Sequence, residues 1–240
     1  MVHEPTTTEL FNAIAPAYDR LNTVLSLGFH RFWKRSLHKF LPGYSDLYIL
    51  DAATGTADVA IELIRHHPEI SMITGIDPSD AMLKIAGAKV AKAGLSGRIE
   101  LQRGIAENIP FADRSFDAAT MSFGIRNISD RINALNEMFR VLKAEGRLII
   151  LEFSRPSQPF VYFFYKIYMQ IFVKFLGGVL SGNRKAYDYL YRSVWNFPSR
   201  QEFCQMLAEA GFQSIRTIPV CLGVATIYLA DKAQRKGTHG

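Results

Sequence analysis

Residues 47–58 read LYILDAATGTAD. An apolar run meets an acid at Asp51, passes through small residues and enters a helical pattern at Asp58. A strand, a tight turn and a helix have this order, and small side chains let a ligand lie against the backbone. The stretch therefore predicts a nucleotide-type site on an open α/β sheet. It leaves the nucleotide open.

Strands and helices alternate outward from it. Strand patterns cover 47–51, 72–76, 98–103, 116–121 and 147–152, and helical ones cover 58–66, 79–93 and 130–142. Ser79 stands where an N-cap is needed. This βαβ rhythm predicts a mostly parallel sheet with helices on both faces. The rhythm breaks after Glu152. An aromatic helical insertion, 155–198, gives way to a helix at 199–210. Two extended runs, 212–219 and 224–230, are joined by a short turn, which predicts an antiparallel hairpin and seven strands in all. Upstream, Phe11, Ile14, Tyr18, Leu21 and Leu25 recur at helical spacing, and a second helix runs over 29–41. The expected organisation is a single domain over 1–240, with a helical cap at 1–43 and a mobile tail at 232–240.

With 48% hydrophobic and 21% charged residues the chain is globular and not disordered. The net charge of +6 suits an anionic partner, an anionic membrane surface or an ordinary solvated surface. Basic residues are scattered without a run, so no nucleic-acid partner is expected. Cys204 and Cys221 form no CxxC, and His30, His38, His66 and His67 have no ligand spacing, so no metal is expected. A reduced, cytoplasmic protein is the default, and MVHEPTTTEL is no secretory signal. Residues 160–180 are long enough to span a bilayer, but Lys166, Gln170 and Lys174 interrupt them. One such lysine costs about 2.5–3.5 kcal/mol at the bilayer centre. Their spacing by four makes one polar stripe, so the segment reads as a core helix or as one touching lipid or a lipid-like ligand.

Asp77 follows Asp51 at the end of the second strand. A carboxylate there accepts both hydroxyls of an adenosine ribose, or caps the next helix. A dinucleotide turn usually shows GxGxxG, whereas 53–57, ATGTA, holds one glycine. S-Adenosylmethionine has no pyrophosphate to seat, so a glycine-poor turn suits it. Thr56 then donates a hydroxyl, the loop amides receive the carboxylate, and Asp51 and Gly55 are further cofactor contacts. Asp58 serves the cofactor's amino group or caps its helix.

Residues 104–111, GIAENIPF, and then Ser115-Phe116-Asp117 resemble the adenine-side loop and next strand of class I S-adenosylmethionine methyltransferases. An acidic or amide side chain there usually meets the adenine. Here Ile105 holds that position, which leaves packing and backbone contacts from Ile105 and Ala106. The closing hairpin fits that Rossmann-like fold too.

Three further segments are more specific: YDRLN at 18–22 with LSLG and WK behind it, SFGIRN at 122–127, and EFS at 152–154. Together they resemble the demethylmenaquinone/ubiquinone-precursor C-methyltransferase family of isoprenoid quinone biosynthesis, from about Phe11 to Ala230. The family usually carries a glycine where this chain has Ala57, whose methyl fits if the local φ is negative.

The resemblance implies metal-free C-methylation of a polyprenylated quinol, demethylmenaquinol first and a ubiquinone-precursor benzoquinol as the alternative. Arg126 is implied to stabilise the developing oxyanion, with Asn127 as its hydrogen-bonding partner, or else to pair with an acid and shape its loop. Tyr18 orients the ring, covers the cofactor or fills the core. Ser122 touches cofactor or quinol, or ends its strand. The aromatic helix lines the prenyl path or packs the core. A peripheral contact with the inner face of the membrane and an oligomer are both compatible with the sequence. Two rivals are a same-fold enzyme with another lipophilic acceptor and a non-catalytic cofactor-binding subunit of a quinone-synthesis assembly.

Overall fold

The structure, a computed structural model, describes residues 7–26, 28–173 and 184–233. Residues 1–6, Leu27, Lys174 with the rest of 174–183, and the tail beyond 233 lie outside them. Three helices come first: α1 (Thr7–Ile14), α2 (Tyr18–Leu25) and α3 (Phe29–Ser36). The alternating part follows as β1 (Tyr48–Ala52), α4 (Asp58–His66), β2 (Met72–Asp77), α5 (Asp80–Lys92), β3 (Ile99–Arg103), β4 (Phe116–Ser122), α6 (Arg131–Val141) and β5 (Leu142–Phe153). After it come α7 (Pro159–Tyr168), α8 (Arg184–Trp195), α9 (Arg200–Glu209), β6 (Gln213–Val220) and β7 (Ala225–Asp231).

One seven-stranded sheet runs in the order β3-β2-β1-β4-β5-β7-β6. The strands β1 to β5 pair in parallel, and β7 is antiparallel to both β5 and β6. This is the class I methyltransferase sheet expected from the sequence. The middle strands are buried almost throughout, as strands covered on both faces must be. Edge strand β6 alternates and tolerates Pro219, which a central ladder would not. Successive β1 residues Ile49 and Leu50 enter different apolar clusters, one on each face, as a period of two requires. Ser79 caps α5 by accepting the Met82 N–H at 3.1 Å.

The strand order reverses between β1 and β4, so their carboxyl ends part and leave a crevice. Asp51 sits there, in register with Thr120 of β4. Its buried carboxylate accepts the Thr120 and Thr54 hydroxyls, each at 2.6 Å. Burial lifts this carboxyl to about 6, against the two hydroxyls, which lower it.

Two expectations change. The aromatic helix α7 is not a core helix. Only Tyr165 is buried along it, while Phe160, Phe163, Phe164 and Ile167 are exposed. Lys166 and Gln170 are exposed too, so the polar stripe is one part of an open surface. No helix among the described residues is long and apolar enough to cross a membrane. The second change concerns Ala57. Its φ is +62°, left-handed and not negative, because the loop must swing its chain into the first turn of α4.

A left-handed alanine costs roughly 1–2 kcal/mol in Cβ–carbonyl crowding, which exceeds the extra unfolded-state entropy of glycine. Ala57→Gly is therefore expected to raise the unfolding free energy by about 0.5–1 kcal/mol in urea titration. Equal or lower stability would show that the methyl contributes more by packing than it loses in strain.

Candidate active site

A cavity of about 320 Å³ fills the crevice above β1, β2 and β4. Gly55, Asp77, Ile105, Ala106 and Ser122 line it, as do Tyr18 and Asn127. The structure thus brings seven of the eleven candidate residues to one space. Asp51, Thr56, Asp58 and Arg126 are not among the lining residues and stand behind the wall.

Asp77 is held by backbone. Oδ2 accepts the Gly55 N–H and Oδ1 the Ser79 N–H, both at 2.9 Å. Each oxygen keeps a lone pair for a ligand hydroxyl. Burial pushes this carboxyl up, and the two amides act against it. Ser122 Oγ is buried at the cavity with no hydrogen-bond partner. Gly55 has φ +56° and its backbone faces open space, with Tyr18 Cε1 4.0 Å from where a Cβ would stand. Gly124 is glycine for want of room, since a Cβ would lie 2.8 Å from that of Ala53. Free lone pairs on Asp77, an orphan hydroxyl and bare backbone suit an adenosine with a small zwitterionic arm, so these residues fit S-adenosylmethionine.

Thr56 and Asp58 belong to an ion-pair network. Thr56 gives its hydroxyl to Asp19 Oδ1 at 2.9 Å and accepts Lys89 Nζ at 2.9 Å. Lys89 also reaches Asp58 at 2.6 Å and pairs with Asp19, while buried Lys34 pairs with Asp58 at 3.1 Å. Burial would raise the Asp58 carboxyl, but the Lys34 and Lys89 charges outweigh it and bring it to about 2. The network ties α2, α3 and α5 to the loop after β1. It holds Tyr18, the residue before Asp19, over the cavity, where α1 adds Thr8 and Phe11.

Arg126 is buried against Glu152, which is fully buried. Nη1 donates to Glu152 Oε1 at 2.8 Å and to the Phe123 carbonyl at 2.6 Å. The guanidinium lies 5.4 Å from the Phe153 ring centroid, and Nε has no partner among the described residues. The pairing with an acid, one of the two readings of Arg126, is thus present, and one donor remains unused. Asn127 donates to the Phe123 carbonyl at 3.2 Å and accepts from the Tyr189 hydroxyl at 3.2 Å. Phe123 itself is left-handed at φ +57°, the third strained non-glycine of this site after Ala53 and Ala57.

Sequence reasoning gave no role to Glu107, Phe11 or Lys89, and marked Glu152 only as part of the EFS segment. Phe11 lies seven residues, two helical turns, before Tyr18, and Glu107 lies two after Ile105, so both were within reach of pattern. Lys89 and Glu152 meet their partners across 33 and 26 residues, which no local pattern signals.

The sequence profile described as the ubiE/COQ5 methyltransferase family matches residues 1–232. The chain belongs to that family. A Geotalea daltonii protein, named ubiquinone/menaquinone biosynthesis C-methyltransferase UbiE, is 44% identical over 224 residues, 93% of this chain and 95% of that one. A Bacteroides fragilis protein, named demethylmenaquinone methyltransferase, is 38% identical over 93% of this chain and 91% of its own. Among solved structures, a putative S-adenosyl-L-methionine-dependent methyltransferase from Methanococcus maripaludis superposes with a TM-score of 0.68. At 19% identity, over 98% of this chain and 99% of that one, it speaks for the fold alone. The family member described here is an S-adenosylmethionine-dependent methyltransferase.

Behind the ion-pair network lies His30, buried and hydrogen-bonded through Nδ1 to Ser26 Oγ at 2.7 Å. Burial, then the Lys34 charge, pulls its imidazole from 6.5 down to about 4. Between those values the folded methyltransferase holds fewer protons than the unfolded chain. His30 stability is therefore full above pH 6.5 and lost as pH falls toward 4. Asp51 runs the other way, because its folded value lies above its unfolded one. Comparing variants isolates His30: between pH 7 and 4.5 the wild type is expected to lose on the order of 2 kcal/mol more than His30→Gln in urea unfolding. Equal losses would mean that His30 protonates freely in the fold.

Proposed function

We propose that this methyltransferase C-methylates the ring of a polyprenylated quinol, with demethylmenaquinol as the acceptor and menaquinol as the product. The observation that carries the reading is a second, apolar cavity of about 450 Å³ next to the first. Phe29, Trp33, Phe153, Phe164 and Met169 line it. Phe123 faces the first cavity, Phe153 the second, and their ring centroids are 4.6 Å apart. A polar pocket for the donor and a greasy one for an isoprenoid thus share one aromatic wall. The names of the relatives from Geotalea daltonii and Bacteroides fragilis support the acceptor. A ubiquinone-precursor benzoquinol is the second acceptor, because the first of those names covers both quinones.

S-Adenosylmethionine, when bound, supplies a methyl group already activated as a sulfonium. Asp77 would hold the ribose hydroxyls, the amides about Gly55 the carboxylate, Ser122 a polar edge, and Ile105 with Ala106 the adenine. Thr56 and Asp58 act from behind, by fixing the loop through Lys89. Tyr18 closes the cavity over the donor, and the described residues of the N-terminal helices form its cap. Arg126 donates to Glu152 and to the Phe123 carbonyl, so it acts as a hydrogen-bond donor. It positions the wall through Glu152, with Asn127 at the rim of the cavity. The ring proton leaves to water. The exposed aromatics of α7, with Phe29, Phe32 and Leu222, suit a peripheral contact with the cytoplasmic face of the membrane.

The decisive experiment incubates the protein anaerobically with methyl-labelled S-adenosylmethionine and short-tailed demethylmenaquinol or the benzoquinol precursor. Label is expected in the naphthoquinol ring. Donor binding without labelled quinol would leave a non-catalytic cofactor-binding protein. In Asp77→Ala, donor affinity should fall at least about tenfold through two lost hydroxyl contacts to a charged group. Unchanged affinity would refute the ribose assignment.

A further inference from the structure

Beside Ser122 Oγ and Trp195 Nε1, two further buried donors near the wall between the cavities have no partner among the described residues. One is Arg126 Nε. The other is the hydroxyl of Tyr165, a residue 7% exposed on α7. A buried hydroxyl without a partner costs stability that phenylalanine would not, and α7 already carries Phe160, Phe163 and Phe164. Packing therefore does not account for the oxygen. Tyr165 lines the apolar cavity together with Phe153, over whose ring Arg126 lies. The Ser26 hydroxyl of the same cavity is already bonded to the Asn22 carbonyl and to His30. Tyr165 thus brings one unused donor to the lining of the apolar cavity, Arg126 holds another behind Phe153 of the same wall, and neither has an acceptor among the described residues.

We propose that Tyr165 Oη and Arg126 Nε together grip one ring oxygen of the acceptor, so that Tyr165 is a substrate-binding residue of the methyl transfer. The proposal rests on the quinol reading above and adds to it a residue and its task. An N–H and an O–H donor on one atom select an oxygen, and an ionised one over a neutral one. The grip therefore favours the quinolate, the form in which the neighbouring ring carbon is most nucleophilic. Tyr165 moves no proton itself. Burial pushes its phenol above the ordinary value of 10, with the charges of Arg126 and Glu152 acting on it from nearby, so it stays a donor at working pH.

The test is Tyr165→Phe, which keeps the ring and removes only the oxygen. Turnover of short-tailed demethylmenaquinol is followed anaerobically from pH 6 to 10, beside donor affinity and melting temperature. At pH 7 kcat/KM should fall about tenfold, the pH of half-maximal rate should rise by about one unit, and the two profiles should meet at alkaline pH. Donor affinity should stay within twofold, and the melting temperature should hold or rise. An unchanged profile with a higher melting temperature would overturn the proposal, and so would a loss equal at every pH. Quenching of tryptophan fluorescence by the naphthoquinol separates this inference from the function it rests on, since Trp195 lies 6.2 Å from Tyr165 between ring centroids. Quenching without turnover, weakened about tenfold in Tyr165→Phe, would sink the methylation reading and sustain the grip. If the wild type neither turns over nor binds the quinol, both fall.

Discussion

Asp51 is the residue on which the site depends. Its buried carboxylate takes one hydroxyl from β4 and one from the loop after β1. Removing either threonine hydroxyl would leave part of a charge unsatisfied in a medium that screens it poorly. The two strands that part at the crevice, and the turn that rises from one of them, are therefore fixed to each other at a single point. Asp77 repeats the arrangement one strand over with backbone amides as donors. The loop between these acids has little freedom left. It holds left-handed backbone at Ala53 and Ala57, where L side chains are unfavourable.

The wall between the cavities is built by different means. Arg126 and Glu152 are both removed from water, and each is costly there without the other. Their pairing does more than cancel charge. It anchors the Phe123 carbonyl and the backbone N–H of Arg126, so the turn after β4 keeps the Phe123 and Phe153 rings in contact at a tilt of 34°. The network around Lys89 does the same from the opposite side, where it attaches the first helices to the loop after β1.

Most of the fold was legible because a parallel strand covered on both faces and a half-exposed hairpin strand leave different hydrophobic patterns. The acid at the end of β2 and the small residues of 53–57 were legible for the same local reason. Side-chain direction was not. Thr56 looks like a ligand contact in sequence, yet its hydroxyl is taken by Asp19 and Lys89, far along the chain. Arg126 keeps two readings in sequence, oxyanion donor or partner of an acid, until Glu152 on β5 is placed beside it. The sign of φ at Ala57 depends on how the loop meets α4, and residue type alone does not set it. The spacing of Lys166 and Gln170 marked a polar stripe on α7, but the number of aromatic residues left uncovered beside it followed only from packing.

The position of β7 has a consequence for how the chain is made. It lies between β5 and β6 and pairs with both along their lengths, yet it follows both in sequence. During synthesis β5 leaves the ribosome with one edge unpaired, and β6 has no neighbour at all until residues 225–231 arrive. That open edge is a template for misplaced strands and a surface for chaperones. Its closure is a single late event, the insertion of one buried strand between two others. The sheet that carries the site is therefore completed from its far side, well after every residue lining the donor cavity has been made.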